Sequence, residues 1–337
     1  MLSFYLSTKV GISRAFDELL PMGFYNNLET WQGLSVVDWT PESGPLSAET
    51  AYRIRLEWDD KDTWADRFAQ FLEQPGVETV TTLVVGAWGA LIDGDETLTS
   101  VIEVLAGARE HLPSLTGLFL GDITSEECEV SWIALADVAP LFHAYPKLEH
   151  FAVRGGMNDN QDLTLGVLRH AHLKSLAIET GGMAVSIIEE ISIAELPELE
   201  HLELYLGTDN YGCTVTVGDL HTILTQGHEK WPKLRYLGLR DYDRADELAG
   251  HLAAKSTEPL LNHIETLDLS LGTLGNPGAT ALLECPAIKS LQKLDIHYHY
   301  VTEATVAKLL ELGIEVDAND PQKPDDDEDW RYVAVGE

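Results

Sequence analysis

LEHLEL (199–204), LRYLGL (234–239), IETLDL (264–269) and LQKLDI (291–296) repeat one pattern, apolar-x-x-apolar-x-apolar. The same pattern stands earlier in the chain as VTTLVV (80–85), LTGLFL (115–120), LEHFAV (148–153) and LKSLAI (173–178). Successive starts lie 35, 33, 25, 26, 35, 30 and 27 residues apart. The last two apolar positions of each unit are two residues apart, so on a β-strand they share one face and the x residue between them takes the other. A return of 25–35 residues is too long for a hairpin. It suits a parallel strand reached by a crossover. One unit alone leaves its apolar face bare, and stacking of units buries it. The pattern therefore predicts an α/β solenoid, with a parallel sheet on the concave face and helices and loops on the convex face. A ninth, degenerate strand is read at IEV (314–316).

The repeat resembles the leucine-rich-repeat superfamily over roughly residues 77–317. GDITSEECEVSW (121–132), LGTDNYG (206–212), RYLGLRD (235–241) and LDLSLGTL (267–274) resemble, more closely, an uncharacterised bacterial family of acidic, leucine-rich-repeat-like cytosolic proteins, over residues 27–337. That resemblance implies a fold and a cytosolic location, and no activity. One departure stands out. Leucine-rich repeats place Asn or Cys three residues after the last strand leucine; here those positions hold Trp88, Ile123, Gly156, Gly181, Gly207, Tyr242, Gly272 and His299. The asparagine ladder is missing, and the glycines are expected to turn the chain through positive φ.

Residues 1–26 lack the repeat and are read as an N-terminal extension, and 27–76 as a cap on the first apolar edge of a solenoid spanning 77–317. Within the cap, 34–39 and 52–58 read as strands and Asp62–Leu72 as a helix with Trp64, Phe68, Phe71 and Leu72 on one stripe. Further helices are expected at Val185–Ala194, Asp219–Leu224, Arg244–Ala254 and Thr302–Leu312. Residues 318–337 form an acidic tail; PQKPDDDEDW (321–330) is expected to be mobile, and RYVAVGE (331–337) is apolar enough to dock as a last strand.

Charge narrows the partners. There are 22 Lys and Arg against 56 Asp and Glu, a formal charge of −34. Such a field repels phosphate backbones and anionic lipid heads, so nucleic-acid and membrane-surface binding are not expected, and a basic protein partner is. The same charge also serves plain solubility. Three scattered cysteines without a CxxC suggest a reducing compartment. No stretch approaches the about 18 apolar residues of a membrane span, and a cytoplasmic location is expected.

Candidate chemistry is sparse. Phosphate-binding glycine motifs, the nucleophile elbow and H-E-x-x-H are absent, so no cofactor, resident metal or catalytic residue is assigned. His297 and His299 share a strand face but lack an evident third ligand, so a surface pair is the expectation. His170 and His172 precede a strand and read as loop residues. Cys128 stands between Glu127 and Glu129, which disfavour a thiolate. The stretch 121–129 carries Asp122, Glu126, Glu127 and Glu129 just past a strand, where parallel α/β sheets bind ligands. Capping by Thr124 or Ser125 is the plainer reading. The strand x positions present Arg154, Glu179, Glu203, Tyr205, Arg240, Asp268, Ser270, Asp295 and His297, with Asp241 just beyond, as a mixed polar row facing solvent. Two functions are consistent with this. The first is a non-enzymatic scaffold binding a protein through the sheet and its strand-end loops. The second is an enzyme or accessory subunit with Asp122, Glu126, Arg154, Glu179 and Asp241 converging on the strand-end rim. The long inserts at 86–114 and 205–233 are the places where function is expected to depart from the repeat.

Overall fold

A computed structural model describes residues 26–57, 59–89, 91, 97–157, 163–324 and 330–335. The expected extension at 1–26 and the acidic run at 325–329 therefore lie almost wholly outside the described residues. Twelve strands form one sheet in strict sequence order. They are β1 (Thr30–Trp31), β2 (Leu34–Asp38), β3 (Thr50–Ile54), β4 (Thr82–Val85), β5 (Gly117–Leu120), β6 (His150–Arg154), β7 (Ser175–Glu179), β8 (His201–Gly207), β9 (Tyr236–Tyr242), β10 (Thr266–Asp268), β11 (Lys293–Asp295) and β12 (Glu315–Asp317). Only the β1–β2 pair is antiparallel. From β2 onward every pair is parallel, so the two strands read as a separate cap continue the same sheet as the repeats. The fold is an α/β leucine-rich-repeat solenoid.

The register explains the repeat. Leu83, Leu118, Phe151, Leu176, Leu202, Leu237, Leu267 and Leu294 are consecutive partners across the sheet. Each is fully or almost fully buried in the main core. Val85, Leu120, Val153, Ile178, Leu204, Leu239, Leu269 and Ile296 form a second buried row on the same face. Helices close over these rows. Trp64–Leu72 starts from a Thr63–Asp66 capping box and buries Trp64, Phe68 and Phe71. Val185–Ile193, Ala245–Leu252 and Glu303–Leu310 fall where helical spacing predicts them, while His221–Lys230 overlaps the expected Asp219–Leu224 and runs on past it to Lys230. Helices at Leu98–Gly107, Ala139–Ala144, Glu258–Leu261 and Asn276–Glu284 were not predicted.

The opposite sheet face differs from expectation. Over β4–β7 it is apolar: Val84, Phe119, Ala152 and Ala177 form a second core, closed by Leu28 and Trp31. Trp31 meets Phe119 edge-on at 5.7 Å and lies so close to Gly117 that a Cβ there would sit 3.0 Å from its ring. Strands buried on both faces read as unbroken apolar runs, as LVV (83–85) and LFL (118–120) do.

The post-strand glycines also work differently. Of Gly156, Gly181, Gly207 and Gly272, only Gly207 has positive φ. Gly156 and Gly272 are needed for close approach instead: added Cβ atoms would run into the Ser131 backbone and, at 2.7 Å, the Tyr242 carbonyl. The left-handed turn falls one residue earlier in the last units, at Asp241, Leu271 and Tyr298, with φ of 55°, 65° and 57°. The C-terminal segment packs against these turns without forming a strand. Ala334 N donates to the Leu271 carbonyl at 2.8 Å, Tyr332 N to Tyr300 Oη at 2.8 Å, and Arg331 pairs with Asp246 at 2.8 Å.

Candidate functional site

The x residues come together, but as an internal ladder. Arg154, Glu179, Glu203, Tyr205, Arg240, Asp268, Ser270, Asp295 and His297 are all at most 7% exposed. Their expected exposure to solvent is corrected: Arg154 and Arg240 each meet carboxylates from neighbouring strands, and the whole row is buried. The ladder begins at Arg53, whose guanidinium reaches Asp38 at 2.5 Å and Asp122 at 2.8 Å. Asp122 lies 4.0 Å from Arg154, which pairs with Glu179 at 2.7 Å and sits over the Phe119 ring at 5.4 Å. Farther along, Arg240 binds Glu203 and lies 3.3 Å from Asp268, with its guanidinium 4.9 Å from the Tyr205 ring centroid. His201 stacks on Tyr236 at 3.9 Å and hydrogen-bonds Glu203 at 2.9 Å. Gly238, Glu203's partner on β9, leaves the space these side chains fill.

Burial and pairing pull the carboxylates in different directions. Burial raises Glu179 and Asp268, and their arginines only partly offset it. Burial also opposes ionisation of Glu203, but Arg240 and His201 outweigh it and the carboxyl falls to about 2. Asp295 likewise falls to about 2, held by His297 against the cost of burial. Asp241 is pushed well above the usual carboxylate range by burial; its Oδ1 accepts from Val335 N at 2.8 Å, while Oδ2 is buried without a partner.

The five rim residues stand in three settings. Asp122, Arg154 and Glu179 form one chain of contacts, Glu126 is exposed, and Asp241 lies beneath the C-terminal segment. The loop 121–132 has a fixed base and an open tip. Asp122 accepts from Leu28 N at 3.2 Å, and Glu127 ties Arg55 at 2.8 Å and accepts from Thr124 N at 2.9 Å, closing a turn where a capped helix was expected. Glu126 and Glu129 face solvent, and Trp132, which the sequence reading did not single out, is 57% exposed. Burial, with Glu129 and Glu127, raises the Cys128 thiol to about 11.

The histidine pair separates. His299 is saturated by the Ala318 carbonyl at 3.1 Å and Val301 N at 2.9 Å. His170 is a core residue, its Nε2 on the Tyr145 carbonyl at 3.1 Å. His297 instead joins Asp295 and Asp317, each bringing one ligand atom to within 4.8 Å of the others. Asp317 escaped the sequence reading because β12 runs one residue past IEV (314–316). No helix among the described residues is long and apolar enough to cross a membrane.

No protein-family model matches the sequence, and no curated protein matches it. Among solved structures, a Bacteroides fragilis protein is similar at 28% identity and a TM-score of 0.72, over 80% of this chain and 74% of that one. The Listeria monocytogenes protein InlP is similar at 15% identity and a TM-score of 0.34, over 82% of this chain and 63% of that one. An internalin from the same organism gives 12% identity and a TM-score of 0.30, over 73% and 76%. Likenesses as loose as the last two carry no argument for this chain.

Proposed function

We propose that this protein is a cytoplasmic, non-enzymatic interaction scaffold that binds a basic protein, with the strand-end loop 121–132 as the leading contact. The observation that carries this reading is the loop itself. Its base is pinned by buried Asp122 and by the Glu127–Arg55 pair, while Glu126, Glu129 and Trp132 stand in solvent. An exposed tryptophan on a rigid base is a good interface anchor, because little order remains to be imposed on binding. Carboxylates around it, on a chain of charge −34, favour fast and salt-sensitive association with a basic surface.

The polar row takes a supporting part in this reading. Arg154, Glu179, Glu203, Tyr205, Arg240, Asp268, Asp295 and His297 fix the sheet from which the loops project, and they touch a partner only where strand ends reach the surface. An enzymatic rim is less well supported, since Glu126 and Asp241 stand apart from Asp122, Arg154 and Glu179. The test is affinity purification of the full chain at low and high salt, in parallel with an E126K/E129K/W132A variant. The reading expects a basic partner that is retained at low salt and lost with the variant. A partner indifferent to both salt and the variant would contradict it.

A further inference from the structure

We propose that Asp295, His297 and Asp317 form a site for a divalent transition-metal ion of the Mn²⁺ or Zn²⁺ class at the last two strands of the sheet. The parallel register sets Asp295 directly opposite Asp317, and His297 follows two residues after Asp295. One ligand atom from each lies within 4.8 Å of the other two. Ions with bonds of roughly 2.0–2.2 Å hold opposite ligands no more than about 4.4 Å apart, so small side-chain rotations close the site. One imidazole with two carboxylates is a mixed N/O set, which suits Mn²⁺ or Zn²⁺ better than the hard cations that prefer oxygen alone.

Two further observations point to a cation. Asp268, Asp295 and Asp317 stand in register on three adjacent strands, an arrangement of like charges that is destabilising unless compensated. Arg240 lies 3.3 Å from Asp268 and Lys293 lies 3.2 Å from Asp295. Asp317 has no ion-pair partner among the described residues, only hydrogen bonds from Asn319 at 3.1 and 2.8 Å. The second observation is His297, which is only 4% exposed. Its Nδ1 is held by Asp295 Oδ1 at 2.7 Å, and its Nε2 is buried without a partner. Because Asp295 faces Nδ1, that nitrogen is the ligand atom, and an ion would take the place of its proton between the ring and the two carboxylates. Lys293 competes for Asp295 Oδ2, so its removal should tighten binding.

Titration of the full chain with Mn²⁺, following the electron paramagnetic resonance signal of the free ion, tests the site. High potassium chloride and excess Mg²⁺ suppress diffuse attraction to the acidic surface. One Mn²⁺ per chain is expected to bind under these conditions, with Zn²⁺ displacing it. D317N and H297Q should each weaken binding by at least about tenfold, as removal of groups around metal centres does. Asp317 is half-buried at the sheet edge, so metal-free D317N should melt like the parent. Mn²⁺ should then raise the melting temperature of the parent and leave that of D317N unchanged. Absence of stoichiometric binding in high salt, or equal binding by the parent and D317N, would overturn the proposal.

Discussion

Replacing Arg154 by methionine should be among the most damaging single changes on the sheet, and the damage should be reversible. Arg154 is 1% exposed, and its Nε donates to Glu179, itself 3% exposed, at 2.7 Å. Removing one member of a buried pair leaves the other charge uncompensated, at a cost of about 3–5 kcal/mol. Burial already raises the Glu179 carboxyl despite Arg154, so R154M should let Glu179 take up a proton in the folded state. The sign follows: a raised folded pKa gives stability that is fully present below about 4.3 and lost as pH rises, so the R154M deficit should grow with pH. The reverse variant, E179L, should cost less, because Asp122, 4.0 Å away, still faces Arg154. The double variant R154M/E179L should return to within about 1 kcal/mol of the parent, since apolar replacement of a whole buried pair is often neutral or better. Urea denaturation followed by tryptophan fluorescence and far-ultraviolet circular dichroism reads all four proteins. An R154M cost below about 1 kcal/mol, or a double variant no more stable than R154M, would refute the buried-ladder account.

Asp241 has a raised carboxyl pKa, so its stabilising protonated form persists only at low pH and is lost as pH rises through the folded value. We predict that D241N, which keeps the acceptor for Val335 N and tolerates φ of 55°, gains about 1–3 kcal/mol at pH 8 and little at pH 4. A loss at pH 8 in chemical denaturation would contradict this. Burial lowers His150 from 6.5 to about 4, so the unfolded chain binds the extra proton between those values and stability falls as pH falls through that window. H150Q should remove up to about 1.4 kcal/mol per pH unit of that slope, and an unchanged slope in pH-dependent denaturation would argue against a half-buried neutral imidazole. Cys128, buried and raised to about 11, should react with an aromatic disulfide reagent at pH 7.5 far more slowly than it does in denaturant; equal rates would show it open.

Much of the fold could be read from the repeat because a two-residue apolar spacing fixes a strand face and a return near 30 residues fixes parallel order. The burial of the other face was less plain. Its clue lies in the same words: Val84, Phe119, Ala152 and Ala177 occupy x positions and are apolar, whereas Glu203, Asp268 and Asp295 at the matching position are charged. Position alone does not reveal that Leu28 and Trp31 cover the first group, 53 or more residues away along the chain from Val84. Nor could spacing show that Arg154 and Arg240 would each meet a carboxylate from a neighbouring strand, since that depends on register. The tip of loop 121–132 was half legible: its acids were noted, but Trp132, exposed at the end of a short helical turn at Val130–Trp132, lies beyond them. The helix at Leu98–Gly107 passed unnoticed although Thr97 and Ser100 cap it reciprocally and Leu98, Val101, Ile102 and Leu105 stand at helical spacing.

The most direct measurement of the interaction reading is quantitative recovery of partner on the immobilised full chain from its native host at about 50 mM and 500 mM salt, compared with E126K/E129K/W132A. The account predicts a basic protein recovered at low salt, released at high salt, and absent from the variant whose melting temperature matches the parent. Equal recovery on parent and variant, or no partner even at low salt, would contradict it.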